Sequence, residues 1–396
     1  MFVWKKPKGI AMRSRRVVHG ISKQLAKRRR CCPSDRYFSS KDRTNDSEQS
    51  SIKIHSALGL GCIDYSQSWA WQHVLLSRRL ELRRQLQQQE EQQQTSRSSS
   101  SSDVYDDSDC VLLLEHSPVY TLGRGSDENH LTFLQNNNKD MDSTQADDIR
   151  QKLSRKARGP QSARLAIDRQ VDNHALAQLP IDQAIHRLCQ MTATPVMTPK
   201  TNVPIYRVER GGEVTFHGPS QLVVYPLLDL RRQPYQKDLH WYLRMVEEVV
   251  IQTLQHYNIE GVRDEENTGT NDIPLVIANC DWFDAEIPLL CFLSLLVGVW
   301  VADNKIAAVG ISSSRWITTH GFALNVNPDL SYFDTSVILP CGIDGKGVTS
   351  IAKVFNERSG DESACTVPSI EEVAQVVVET MESVFGVAMV EGEPLQ

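Results

Sequence analysis

The segment "ILPCGIDGKGVTSI", Ile338 to Ile351, sets one cysteine between a proline and a glycine and follows it with two more glycines. A core cysteine ordinarily sits inside an apolar run, as a small hydrophobe. Cys341 sits instead in a stretch that suits neither a regular helix nor a regular strand, where backbone N–H groups can turn toward its sulfur. That is how a thiol nucleophile with an adjoining anion site is displayed, although a cysteine in a tight turn reads the same way. Three further clusters carry chemistry-bearing residue types. "RGGEVTFHG", Arg210 to Gly218, sets paired glycines between two β-type runs, which permits close backbone approach to a ligand lined by Arg210, Thr215 and His217. A glycine hairpin with a structural histidine explains the same residues. Lys305 opens the apolar run "KIAAVGI", where a lysine reads as a strand-end charge reaching solvent, and "HGFALNV" places His320 and Gly321 ahead of another strand.

These clusters need elements to hold them. "CVLLLEH" predicts a buried strand over Cys110–Glu115, and the preceding segment predicts a helix starting near Ser66. "PIYRVERGGEVTFHGPSQLVVYPLLDL" reads as strand, glycine turn, strand. Behind an Asp238 N-cap, Leu239, Tyr242, Leu243, Val246, Val249, Val250 and Thr253 share one helical stripe. Ser369 and Glu372 form a capping box ahead of a second amphipathic helix. "VWVADNKIAAVGI", "RWITTH" and "GFALNVN" read as short β segments. Strands outnumber helices without regular alternation, so the fold class is α+β, a mixed or antiparallel sheet with flanking helices. Three segments interrupt it. Residues 83–109 include a low-complexity Gln/Ser tract. Residues 132–202 are polar and aperiodic apart from a helix around Asp182–Leu188, and read as a largely disordered insertion. The third, 270–298, is an apolar insertion.

Composition excludes several classes. With 40% apolar residues in 396, the chain supports a globular core, and its longest apolar run, Leu289 to Ala302, is shorter than a bilayer span. No membrane association is expected. Nine cysteines without a CxxC pair support neither a disulfide scaffold nor a zinc ribbon, so no metal is expected. Net charge is −6, yet residues 1–34 hold eleven Lys and Arg and no acid, leaving −17 for the rest. A basic arm of this kind reads as a nucleic-acid contact or an organelle address. "RYFSS", Arg36 to Ser40, resembles a mitochondrial processing site, which favours a mitochondrial presequence over 1–38, with a plastid address as the alternative and no nucleic-acid partner.

"LLLEHSPVYTLGRGSDE", "RGGEVTFHGPSQLVVYPLLDL", "KIAAVGISSSRWITTHGFALNV" and "LPCGIDGKGVTSI", in that order, resemble the signatures of the octanoyltransferases of lipoate biosynthesis, the lipoyl(octanoyl) transferases. The resemblance covers residues 58–82, 110–131, 203–269 and 298–390, within a catalytic domain over 58–390. It implies a fold like the catalytic domains of biotin protein ligases and lipoate ligases, and a cysteine/lysine acyltransferase in which Cys341 and Lys305 are catalytic. It further implies an acyl site bordered by Arg210, Gly211, Gly212, Glu213, Val214, Thr215, Phe216 and His217, by Ala308, Val309 and Gly310, and by Gly321, Phe322 and Ala323. The implied donor is octanoyl-acyl carrier protein, and the acceptor a lysine on lipoyl domains of 2-oxoacid dehydrogenase complexes or the glycine cleavage H protein. No cofactor is implied, because the donor thioester is already activated. Arg231, Arg232 and Lys237 offer local positive charge for an acidic carrier protein.

The chain departs from the family pattern twice. Ser220 stands where the family has glycine, at a cost on the order of 1 kcal/mol if φ there is positive. After "NTG", Asn267–Gly269, the family continues directly into "VWV", whereas here the 29 residues Thr270 to Gly298 intervene. Their apolar end, "PLLCFLSLLVG", and the frame that their removal preserves read as a retained intron. The rival readings are an ATP-dependent lipoate or biotin ligase, for which the Gly-Arg-Gly-x-Gly loop is missing, and an inactive scaffold.

Overall fold

The computed structural model describes residues 51–93, 108–134, 142–154, 162–165, 173–191, 194–199, 201–263, 297–335, 337–338, 346–359 and 366–393. The expected presequence, Cys341 and all but the last two residues of 270–298 lie outside these. The strands are β1 (Ser51–Ser56), β2 (Cys62–Ile63), β3 (Asp109–His116), β4 (Val119–Leu122), β5 (Val196–Met197), β6 (Pro204–Arg207) and β7 (Val214–His217). They continue with β8 (Gln221–Leu227), β9 (Val262–Arg263), β10 (Gly298–Val301), β11 (Asn304–Ser314), β12 (Ile317–Asn325), β13 (Gly347–Val348) and β14 (Ala388–Glu391). The α-helices are α1 (Tyr65–Gln93), α2 (Ser143–Leu153), α3 (Asn173–Gln178), α4 (Ile181–Met191), α5 (Leu239–His256), α6 (Ile351–Ser359) and α7 (Ile370–Phe385).

The main sheet runs β14-β1-β3-β8-β12-β11-β10-β9, with β13 joined to β11 and β2 to β3. It is mixed: β14, β1 and β3 pair parallel, and the rest of that path is antiparallel. Period-two alternation divides its side chains between two cores. Val111, Leu113, Leu222 and Val224 pack toward α5 and α7, beside Val246, Val249, Val250, Val373 and Val377. Cys110, Leu112, Leu114, Val223 and Tyr225 point the other way, toward Trp69, Ala70 and Val74 of α1. A smaller sheet, β5-β6-β4-β7, closes over a third core built on Tyr120, Leu122, Ile205, Val214 and Phe216.

Local signals place the two sheet-backing helices. The Asp238 side chain accepts from the N–H groups of His240 (2.8 Å) and Trp241 (3.3 Å), capping α5. Ser369 and Glu372 satisfy each other's orphan N–H groups at the start of α7, and Gly386 ends it in the left-handed conformation.

The reading of 132–202 as largely disordered is corrected. Among the described residues this segment supplies α2, α3, α4 and β5. Phe133, Leu134, Ala146, Leu153 and Val196 fill the third core, and Leu165, Leu176, Ala184 and Leu188 pack under α1. These apolar residues are too sparse to fold by themselves, but each is buried against an element from elsewhere in the chain. Likewise α1 runs to Gln93, well into the low-complexity tract. "RWITTH" and "GFALNVN" form one strand, β12, so His320 and Gly321 lie inside it rather than ahead of it.

Candidate active site

An open cleft lies between the β6–β7 loop and the β11–β12 pair. Its lining includes Arg210, Gly212, Glu213, Val214, Thr215, His217, Lys305, Ala308, Val309, Gly310, Gly321, Phe322 and Ala323. Most residues expected at the site are therefore brought to one place. Among the described residues, two of those expected are not part of the lining. Phe216 points into the third core, where its ring stacks on Tyr332 at 4.4 Å, because β7 alternates and its neighbours Thr215 and His217 take the cleft side. Gly211 contributes backbone instead, its N–H donating to the Ile311 carbonyl (2.9 Å) and tying the loop to β11.

The loop is shaped by its arginine. The Arg210 guanidinium donates to the carbonyls of Gly211 (2.9 Å), Thr121 (2.8 Å) and Glu213 (3.0 Å) and to Thr121 Oγ1 (2.7 Å). Gly212 has φ +87, a region open to glycine at no steric cost. His217 is buried, and burial pushes its imidazole well below the usual histidine range, so it is neutral. Its Nδ1–H donates to Gln221 Oε1 (2.8 Å), Gln221 Nε2 donates to Asn325 Oδ1 (2.9 Å), and Asn325 Nδ2 donates to the Thr349 carbonyl (2.9 Å).

A β-bulge decides where Lys305 points. Trp300 of β10 stands opposite Lys305, but Val299 stands opposite Ala307, so Ile306 is the extra residue. Ile306, Ala307 and Val309 all join the core beneath α5, which leaves Lys305 on the cleft side with Ala308 and Gly310. The Lys305 ammonium lies 4.8 Å from the centre of the Trp300 ring and 3.5 Å from the Val297 carbonyl. Gly298 gives the lysine stem room: a Cβ there would stand 2.5 Å from the Ala307 carbonyl oxygen and 3.3 Å from the Lys305 stem.

Cys341 lies outside the described residues, but the segment that follows it reaches the cleft lining at Val348. Ile338 is buried in the third core beside Phe216. On the far side Val348 pairs with Lys305, and the Thr349 N–H donates to the Lys305 carbonyl (3.0 Å). The chain leaving the cysteine loop is thus hydrogen-bonded to the strand that carries the lysine.

Residues 182–382 match the family model described as the lipoyl protein ligase A/B catalytic domain. An octanoyltransferase of Nostoc punctiforme is 33% identical over 338 residues, covering 84% of this chain and 90% of that protein. The chain belongs to the octanoyltransferase family. It is an acyltransferase of lipoate biosynthesis, and membership implies lipoyl-domain proteins as acceptors. An octanoyltransferase of Synechococcus elongatus is 35% identical over 293 residues, covering 74% of this chain and 75% of that one. "Octanoyltransferase LIP2p2, chloroplastic" of Arabidopsis thaliana is 30% identical over 330 residues, covering 83% and 76%.

These relatives overturn the expected mitochondrial address: the plant octanoyltransferase is named chloroplastic and the other two are cyanobacterial. An Arg- and Ser-rich, acid-free arm is common to both organelle addresses, so composition could not separate them. Neither Arg231 nor Arg232, which with Lys237 offer positive charge for a carrier protein, lines the cleft. Both pair with the buried Asp229, at 3.1 and 3.4 Å. Asp229 bridges to Ile317 beside Ser314, nine residues along β11 from Lys305, or about 30 Å at the usual strand rise.

Sequence reasoning missed one partly buried polar group behind the cleft, Glu209. It accepts from His73 Nε2 (2.5 Å), His320 Nε2 (3.2 Å) and Trp69 Nε1 (3.1 Å). Burial disfavours its charge, but the two imidazoles outweigh burial and hold the carboxyl well below the usual carboxylate range. Trp69 and His73 sit at i and i+4 of α1, a spacing visible in the sequence, but nothing local ties that face to a glutamate so far along the chain.

Proposed function

We propose that this octanoyltransferase takes its acyl group from octanoyl-acyl carrier protein, holds it as a thioester on Cys341 and passes it to a lysine of a lipoyl domain. The observation that carries this reading is the attachment of the segment after Cys341 to Lys305, with the Lys305 ammonium on the cleft face. The proton of the Cys341 thiol rests on Lys305, whose ammonium favours the thiolate. The thiolate adds to the donor carbonyl, and backbone N–H groups of the Cys341 loop stabilise the oxyanion. Collapse breaks the donor C–S bond, and Lys305 returns its proton to the departing carrier thiolate. Neutral after that step, Lys305 accepts a proton as the acceptor amine attacks the acyl-enzyme, and the ammonium and the Cys341 thiolate are restored as the amide forms. Every proton taken is handed on, and no nucleotide is consumed.

A plastid location also fits, on the strength of the Arabidopsis relative's name. A fluorescent fusion of the full chain imaged beside chlorophyll tests it. The transfer reading is tested with a lipoyl domain and two donor systems. Octanoyl-acyl carrier protein should octanoylate the domain without ATP, whereas free octanoate with ATP should not. The reverse result would favour a ligase.

A further inference from the structure

Resting on that reading, we infer that Glu209 is a positioning residue that sets the shape of the acyl site and hence its preference for an eight-carbon chain. Glu209 directly precedes Arg210-Gly211-Gly212, one wall of the cleft, while His320 directly precedes Gly321-Phe322-Ala323, the opposite wall. The carboxylate joins the two. His320 Nε2–H donates to Glu209 Oε1 at 3.2 Å, and the Nδ1 atoms of both His320 and His73 have no partner among the described residues. Glu209 is therefore the polar anchor of both imidazoles.

The anchoring extends to helix α1. Trp69, Gln72 and His73 lie at i, i+3 and i+4, on one face. Trp69 and His73 donate to Glu209, while Gln72 Oε1 accepts from the His320 backbone N–H at 2.6 Å. His320 needs such a clamp: its φ is +58, a left-handed conformation inside an antiparallel strand, costly for a residue with a Cβ. The clamp holds the strand locally turned next to Gly321, where a Cβ would stand 2.2 Å from the Val224 carbonyl oxygen of β8. Releasing it lets β12 relax toward regular geometry and shifts the Gly321–Ala323 wall against the Arg210 loop. An apolar pocket separates chain lengths through one or two methylenes, a term of about 10- to 200-fold per methylene that depends on wall placement.

The test is a ratio, which the fraction of folded enzyme cannot move. kcat/KM is measured for octanoyl-, hexanoyl- and decanoyl-acyl carrier protein in wild type and Glu209→Gln. The preference for octanoyl should fall by about 10-fold in the variant, while iodoacetamide alkylates Cys341 at the wild-type rate. Trp69→Phe removes one donor from the carboxylate without touching it, and should move the ratio in the same direction by a smaller factor if Glu209→Gln does not fold. A preference within 2-fold of wild type in whichever variant folds would overturn the inference, leaving Glu209 with a role in stability alone. Wild type that forms no octanoyl thioester on Cys341 would instead defeat the mechanism on which the inference rests.

Discussion

Ser220 has φ +62, and its N–H donates to Glu115 Oε2 (2.6 Å), so the family's glycine position retains its left-handed backbone although a serine fills it. Ser220→Gly should relieve about 1–2 kcal/mol of strain and cost about 0.5–1 in chain entropy. A net gain of about 1 kcal/mol in urea unfolding is expected, and a loss would show that the serine side chain matters. His116 is the second residue to test. It is buried, its Nδ1–H donating to the Ile63 carbonyl (2.9 Å) while Tyr225 O–H donates to its Nε2 (2.9 Å). Burial depresses its pKa to about 4. The unfolded chain, with a histidine pKa of about 6.5, therefore binds the proton more readily. Stability present above about pH 6.5 should be lost as pH falls toward 4, at up to about 1.4 kcal/mol per pH unit from this group. His116→Gln should flatten that part of the Tm-against-pH curve, and an unchanged slope would assign it to other groups. The Ser220 departure was legible from one motif; the burial of His116 was not, because the residues that cover it come from several segments.

At the scale of elements, what could be read early was local. The Asp238 cap, the α5 stripe and the Ser369/Glu372 box each depend on residues within a turn or two, and all three appear in the structure. The Ile306 bulge was not legible, because the run "KIAAVGI" alternates equally well without it. The register against β10 creates the bulge, and the bulge turns Lys305 to the cleft. The β8–β12 pairing offers a sharp test. A Cβ on Gly321 would sit 2.2 Å from the Val224 carbonyl oxygen. Gly321→Ala should push the two strands apart and cost about 1–3 kcal/mol, as overpacking does. Urea denaturation within 0.5 kcal/mol of wild type, about the spread of a neutral surface change, would show that β12 accommodates the methyl.

At the scale of the whole molecule, two interruptions differ in kind. The 132–202 segment lends side chains to two cores, which explains why a polar, aperiodic stretch is nonetheless built into the fold. Residues 270–296 lie outside the described part, but Gly298 at their end occupies a position that excludes any Cβ. Deleting 270–298 joins Gly269 directly to Val299, so a glycine again precedes "VWV". The shortened chain should therefore fold, express more solubly and transfer octanoyl at least as fast as the full chain. Transcripts that carry these 29 codons in most copies, with a shortened protein that fails to fold, would mark the segment as a true part of the enzyme.

The most direct measurement is the intact mass of the full-length protein after mixing with octanoyl-acyl carrier protein and no acceptor, followed by peptide mapping. The account predicts a gain of one octanoyl group on Cys341, labile to hydroxylamine and discharged by a lipoyl domain. It also predicts no adduct in Cys341→Ser, since a serine hydroxyl is hardly ionised near neutral pH, and slower adduct formation in Lys305→Met. An octanoyl group found on another residue, or an unmodified wild type that still octanoylates the lipoyl domain, would contradict it.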